Sequence, residues 1–263
     1  MIVIAIIGVA FAVGIVGWVY VSLKPPTPRI CGTPNGPPVT SPRVKLNDGR
    51  HLAYKEFGVP KEKAKYKIII SHGYNASKHM HLAVSQEFME DFQAYIVLYD
   101  RAGYGDSDPY PSRSVKTEAF DIQELADKLE LGRKFYKLFR SLAVEVLFTD
   151  SDLELLKEIL DCPTIALDKI RQQGEYECLH RDMLVAFGKW EFHPLELTNP
   201  FTENKGRVHM WQGSADRVIP IEFNRFIAQR LPWIQYHEVP NAGHLIVHEA
   251  QSFKAIIRAL LAG

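Results

Sequence analysis

From residue 44 onward, apolar and polar positions fall into two alternating rhythms. Residues 66–70 (Tyr-Lys-Ile-Ile-Ile) and 94–99 (Ala-Tyr-Ile-Val-Leu-Tyr) are short apolar runs that suit buried strands. Between them, 82–92 reads as a helix. A stronger helix is predicted over 115–131, with Phe120, Ile122, Leu125 and Leu129 at helical spacing and Gly132 as its stop. Later strands are predicted at 208–212 and 234–239, followed by helices at 221–229 and 252–261 respectively. Ahead of all these, 44–50 and 51–57 flank the hairpin signal Asn47-Asp48-Gly49. A hairpin followed by strand–helix alternation predicts an α/β protein: a mostly parallel sheet with helices on both faces.

The first 23 residues follow neither rhythm. They contain no charged residue, no His, no Asn and no Gln. As a helix they would span about 34 Å, enough to cross a hydrocarbon core. Trp18 and Tyr20 fall near the end, where amphipathic rings favour an interface. A cleaved leader would need a basic start, a shorter apolar run and a small-residue cleavage site, and none is visible. The expectation is therefore a transmembrane anchor over 1–23, with the lipid bilayer as partner. Lys24, Arg29, Arg43 and Lys45 all follow it, so the positive-inside rule places the main domain in the cytosol of a single-pass protein. The sequon Asn75-Ala76-Ser77 points the other way but falls in a loop at the expected site mouth. Residues 24–43 hold seven prolines and two glycines, and read as an extended linker. One domain is expected over 44–263.

The formal net charge is zero, and no clustered basic stripe suggests nucleic acid as a partner. Three cysteines, Cys31, Cys162 and Cys178, make no disulfide framework, and no C-x-x-C pair suggests zinc. His79 and His81 have no ligand cluster around them. No metal and no cofactor are expected.

Four motifs carry the candidate chemistry, each at the C-terminal end of a predicted strand. Ser71-His72-Gly73-Tyr74 allows a sharp turn that aims the Tyr74 amide at a pocket as an oxyanion donor, with Gly73 beside it. Asp100, in Tyr99-Asp-Arg-Ala-Gly-Tyr-Gly-Asp-Ser107, can hydrogen-bond its own loop, and His72 is expected to play a structural part in its turn. That loop lacks the Lys-Ser/Thr of a phosphate loop. Asp216, in Gln212-Gly-Ser-Ala-Asp216-Arg-Val-Ile-Pro220, is placed to orient a base. His244, in Pro240-Asn-Ala-Gly-His244, is exposed on a loop by its glycine.

Taken in order, these motifs resemble those of the α/β-hydrolases, from about Val44 to the C-terminus. The runs 48–58 (Asp-Gly-Arg-His-Leu-Ala-Tyr-Lys-Glu-Phe-Gly) and 173–183 (Gln-Gly-Glu-Tyr-Glu-Cys-Leu-His-Arg-Asp-Met) look like plant members that carry an N-terminal membrane helix and a proline-rich spacer. The resemblance implies the α/β-hydrolase fold, serine-hydrolase ancestry, Asp216 as triad acid and His244 as base.

The chain departs from that pattern at the nucleophile. No G-x-S-x-G occurs. Ser141 falls in register with the expected serine, but its flanks are Phe139 and Ala143 where glycines belong. Residues 137–205 read instead as a reduced helical cap. The expectation is that the nucleophile segment, its helix and the next strand are missing, as in a truncated isoform. The expected function is carboxylesterase- or lipase-like hydrolysis of apolar esters, impaired in this chain. The alternative is a non-catalytic relative that binds an apolar ligand or a partner.

Overall fold

A computed structural model of the protein describes residues 14–18, 24–132, 136–139, 148–160, 167–201 and 206–262. Its strands are β1 (Arg43–Lys45), β2 (His51–Gly58), β3 (Tyr66–Ser71), β4 (Ala94–Tyr99), β5 (Tyr136–Phe139), β6 (Val208–Gly213) and β7 (Ile234–Val239). Its α-helices are α1 (Gln86–Phe92), α2 (Val115–Lys128), α3 (Asp150–Leu160), α4 (Leu167–Ile170), α5 (Arg181–Phe187), α6 (Ile221–Arg230) and α7 (Ala250–Leu261). A π-turn, Tyr176–His180, leads into α5.

The first five strands form a sheet in the order β1-β2-β4-β3-β5. The hairpin side is antiparallel, and β4-β3-β5 is parallel. Alternation along β3 and β4 divides the core in two. Ile68, Ile70, Ile96 and Leu98 face α1 and α7, where Phe88, Met89, Phe253 and Ile257 pack. Ile69, Tyr95, Val97 and Tyr99 face α2, through Ile122, Leu125 and Ala126. Helices therefore cover both faces, as the pattern predicts. Strands β6 and β7 pair in parallel as a separate two-stranded sheet. Among the described residues, no strand bridges β5 and β6.

Several boundaries differ from the sequence reading. Helix α1 begins at Gln86 rather than 82, because the Ser85 side chain accepts the Phe88 amide and caps it. Helix α2 ends at Lys128, since Glu130 turns left-handed (φ 53°) before Gly132 is reached. Phe120 is 56% exposed. It lies about 200° around the helix from Ile122, on the solvent side. Residues 136–139 belong to the sheet beside β3, not to a cap beginning at 137.

The membrane expectation is corrected. Among the described residues, no helix is long and apolar enough to cross a bilayer. Of the apolar segment, only 14–18 is described, as helix, and five residues rise about 7 Å. The rest of 1–23 lies outside the described residues. The transmembrane anchor, the bilayer as partner and the single-pass location with a cytosolic domain are therefore not supported.

The proline-rich stretch is not a free spacer, because it lies on the domain. Cys31 is buried, and its amide donates to Gln173 Oε1 at 2.9 Å. The Arg29 amide donates to the Gln173 carbonyl at 3.0 Å. The Thr40 hydroxyl donates to Asp106 Oδ2 at 2.9 Å. Cys31 and Cys178 are free and buried, and burial pushes each thiol up to about 11. Cys162 lies outside the described residues.

Candidate active site

Strands β6 and β7 end side by side, and the loops that follow are zipped together. The Ser214 amide donates to the Val239 carbonyl and the Ala215 amide to the Ala242 carbonyl, both at 2.9 Å. The Asn241 amide donates to Ser214 Oγ at 2.9 Å. This brings Asp216 and His244 together, with Asp216 Oδ2 2.9 Å from His244 Nδ1. Asp216 Oδ1 accepts the amides of Val218 and Ile219 at 2.8 and 3.0 Å. The carboxylate is thus fixed by its own loop, and it fixes the imidazole as the Nδ1–H tautomer. Only 6% of the His244 side chain and 5% of the Asp216 side chain are exposed. Phe148 lies near-parallel to the imidazole, at 6.3 Å between centroids and 20° between planes. Such a pair can accept a proton at Nε2 and hold the resulting cation.

The predicted oxyanion turn is tied down just as firmly. His72 Nδ1 donates to the Gly73 carbonyl at 2.8 Å, and His72 Nε2 accepts the Arg101 amide at 3.0 Å. This neutral ring joins the end of β3 to the end of β4, so Gly73 and Tyr74 leave the sheet on a fixed path. Asp100 Oδ1 accepts the Lys78 amide at 2.9 Å, and its Oδ2 accepts the Lys78 ammonium at 2.5 Å and the Asp106 amide at 3.1 Å.

Lys78 itself was not singled out in the sequence, where a lysine in a polar loop reads as solvated. It is 1% exposed and lies between Asp100 and Asp106, 3.5 Å from the latter. Burial alone would raise the pKa of Asp106. The Lys78 charge and hydrogen bonds from Thr40, Ser41 and Gln172 instead bring it from an ordinary 3.8 down to about 2. A carboxylate lowered on folding adds stability above its unfolded pKa and loses it as pH falls through the folded one. The urea midpoint is therefore expected to fall between about pH 4 and pH 2, with Asp106 contributing on the order of 2 kcal/mol to that limb. Asp106→Asn should flatten the limb. An unchanged limb in that variant would count against this account.

A second buried network ties α2 to the helical segment before β6. Arg101 and Arg113 both pair with Glu118 and with Asp182. The Tyr104 hydroxyl donates to Asp182 at 2.5 Å. Tyr104 packs there with Ile170, Cys178 and Leu179.

Thr149 and Asp152 are also absent from the sequence reading, although the signal was present. Thr149-Asp-Ser-Asp152 ahead of an apolar run is a capping-box pattern. Asp152 proves to be buried against the His244 loop. Ser141 lies outside the described residues. The structure thus assembles Asp216 with His244, and Gly73 and Tyr74 with His72. Among the described residues there is no cluster of three or more His, Cys, Asp or Glu able to hold a metal ion.

No protein-family model matches the chain. No curated protein matches it either. Solved structures do. An esterase from Exiguobacterium antarcticum is similar at 14% identity and TM-score 0.58, over 85% of this chain and 100% of that one. An enol-lactonase from Burkholderia xenovorans is similar at 14% identity and TM-score 0.59, over 84% of this chain and 100% of that one. A membrane phospholipase A, described as a bacterial virulence factor, is similar at 17% identity and TM-score 0.59, over 85% and 86%. Identities this low establish architecture alone, and on that ground the chain has the α/β-hydrolase fold.

Proposed function

We propose that the chain is an ester hydrolase by descent whose acid–base half is built and whose nucleophile is compromised. The observation that carries this reading is the buried Asp216–His244 pair, at 2.9 Å, on loops following neighbouring parallel strands. Ligand sites in α/β sheets lie at the C-terminal ends of strands. Three of the similar structures are named for ester-cleaving enzymes, an esterase, an enol-lactonase and a phospholipase, while another is named a bromoperoxidase. Gly73 and Tyr74 would supply the oxyanion donors. A small apolar ester is the expected substrate class.

The glycines that let a nucleophile stand on a strained turn are Phe139 and Ala143 here. That no strand bridges β5 and β6 among the described residues supports the loss of a segment that would carry a nucleophile, its helix and a strand. An unactivated serine is a weak nucleophile even beside a good base. The second reading, a non-catalytic binder within one domain over 44–263, rests on this same departure.

The test is p-nitrophenyl ester turnover by the full chain, beside Ser141→Ala and His244→Ala, with fluorophosphonate labelling in parallel. Turnover near the buffer rate is expected, consistent with the ~10⁶-fold cost of losing a triad member. Vigorous turnover abolished by both substitutions would show an intact catalytic serine and overturn the impairment. Residual turnover lost in His244→Ala alone would keep the base and remove Ser141 from the mechanism.

A further inference from the structure

We infer that Phe148–Asp152, at the start of α3, is the positioning clamp for His244: Asp152 fixes the loop that carries the imidazole, and Phe148 fixes the plane of its ring. The inference rests on the reading of His244 as the base. It concerns residues to which the sequence motifs assign no role.

A capping box needs only part of what Asp152 provides. The Thr149 hydroxyl accepts the Asp152 amide at 3.2 Å, and Asp152 Oδ2 accepts the Thr149 amide at 3.0 Å. The Thr149 hydroxyl also donates to Oδ2, at 2.7 Å. These bonds complete the helix start. The other oxygen, Oδ1, does something a cap does not require. It accepts the amide of Leu245, 93 positions along the chain, at 2.7 Å. Leu245 is the residue after His244, and it too is buried. Without Asp152, a buried amide next to the imidazole would lose its partner.

The fit is close as well as polar. A Cβ on Gly243 would lie 2.0 Å from Asp152 Oδ2 and 2.3 Å from its Cγ. The loop therefore closes on the carboxylate at a distance only glycine allows. Asp152 is 1% exposed. Burial alone would raise its pKa, but hydrogen bonds from Leu245, Thr149 and the His244 backbone hold it below its ordinary value. Phe148, itself buried, adds the ring contact described above. His244 is thus held from three directions: Asp216 at Nδ1, Asp152 through the backbone, and Phe148 across the ring. This is support for a base through its neighbours, and Asp152 is a positioning residue.

The experiment uses the isotopically labelled full chain and reads two NMR signals, neither of which depends on turnover. One is exchange of the Leu245 amide. The other is the His244 Nδ1–H resonance, assigned by its absence in His244→Gln. Asp152→Ala should speed Leu245 exchange about 100-fold and lose the imidazole signal to solvent exchange. Thr149→Ala removes the helix cap but leaves Oδ1 in place, so both signals should stay within about threefold of the parent. Asp152→Asn keeps the volume and one acceptor oxygen but places an NH₂ where the second acceptor stood. It should speed exchange about tenfold, and it carries the test if Asp152→Ala does not fold. Unchanged signals in the Asp152 variants would overturn the clamp, as would equal effects in Thr149→Ala and Asp152→Ala. A parent chain with a protected Leu245 amide and no His244 Nδ1–H signal would instead overturn the reading of His244 as a paired base, leaving the Asp152–Leu245 anchor intact.

Discussion

Lys78→Met is expected to lower the unfolding free energy by about 3–5 kcal/mol, the usual cost of removing one partner from a buried ion pair. Its ammonium is 1% exposed and lies between two carboxylates whose side chains are fully buried. Methionine fills the volume but offers no charge, so Asp100 and Asp106 are left facing each other without water. For a domain stable by 5–15 kcal/mol this is a large fraction of the total. Urea unfolding at pH 7 measures it directly. The deficit should narrow as pH falls toward 4, because protonating an orphaned carboxylate removes the buried charge. A variant within 1 kcal/mol of the parent at pH 7 would show that the pair is no more than a surface contact.

Gly103→Ala should cost about 2–5 kcal/mol and loosen the helical segment that packs over this loop. Two terms add. Gly103 sits at φ +82°, where an L side chain is strained by about 1–2 kcal/mol. Its added Cβ would also lie 2.3 Å from the backbone carbonyl oxygen of Glu177, in the π-turn before α5. A carbonyl in regular structure cannot swing aside as a side chain can, so the turn must lift, at about 1–3 kcal/mol. Lifting it uncovers Cys178, which is 0% exposed beside Tyr104, Ile170 and Leu179. Labelling of that thiol in native buffer should therefore rise along with the loss of stability. Stability lost with labelling unchanged would place the strain in the loop alone.

The two substitutions probe parts of the molecule that differ in how visible they are in the sequence. Gly103 belongs to a glycine-marked loop after an apolar run, and the run 94–99 is strand β4 to the residue. A strand buried on both faces leaves an unbroken record in the chain. The juxtaposition of Asp216 and His244 was legible for a different reason: both stand in short Gly-, Pro- and Asn-marked turns after β6 and β7, which are only partly buried. Lys78 left no such record. Its environment comes from Asp100 and Asp106, 22 and 28 positions away, which reach it only when β4 pairs with β3. The strap at 29–40 was hidden differently. Proline excludes helix but does not distinguish a free tether from one laid on a surface, and the clue was a buried cysteine within it. Composition at 1–23 spoke for a membrane helix, whereas the structure describes helix there only over 14–18.

The division of the sheet matters for the tolerances of the site. The turn with Gly73 and Tyr74 grows from β3, in one sheet, and Asp216 and His244 grow from β6 and β7, in the other. Within a single sheet, neighbouring strands are locked in register at about 4.8 Å, so groups at their ends keep a fixed separation. Among the described residues no ladder joins the two sheets, and the links between them are softer: the packing of α7 between the two units and the reach of Asp152 to Leu245. Effective molarity in an enzyme depends on sub-ångström placement, and a 1 Å error costs about 100-fold. If the nucleophile is compromised as proposed above, repair by substitution alone would inherit that looseness. On the proposed reading of His244 as base and of Gly73 and Tyr74 as oxyanion donors, a serine restored to a G-x-S-x-G turn would meet a base whose distance from those donors no ladder among the described residues enforces, and the shortfall would appear in kcat while KM stayed put.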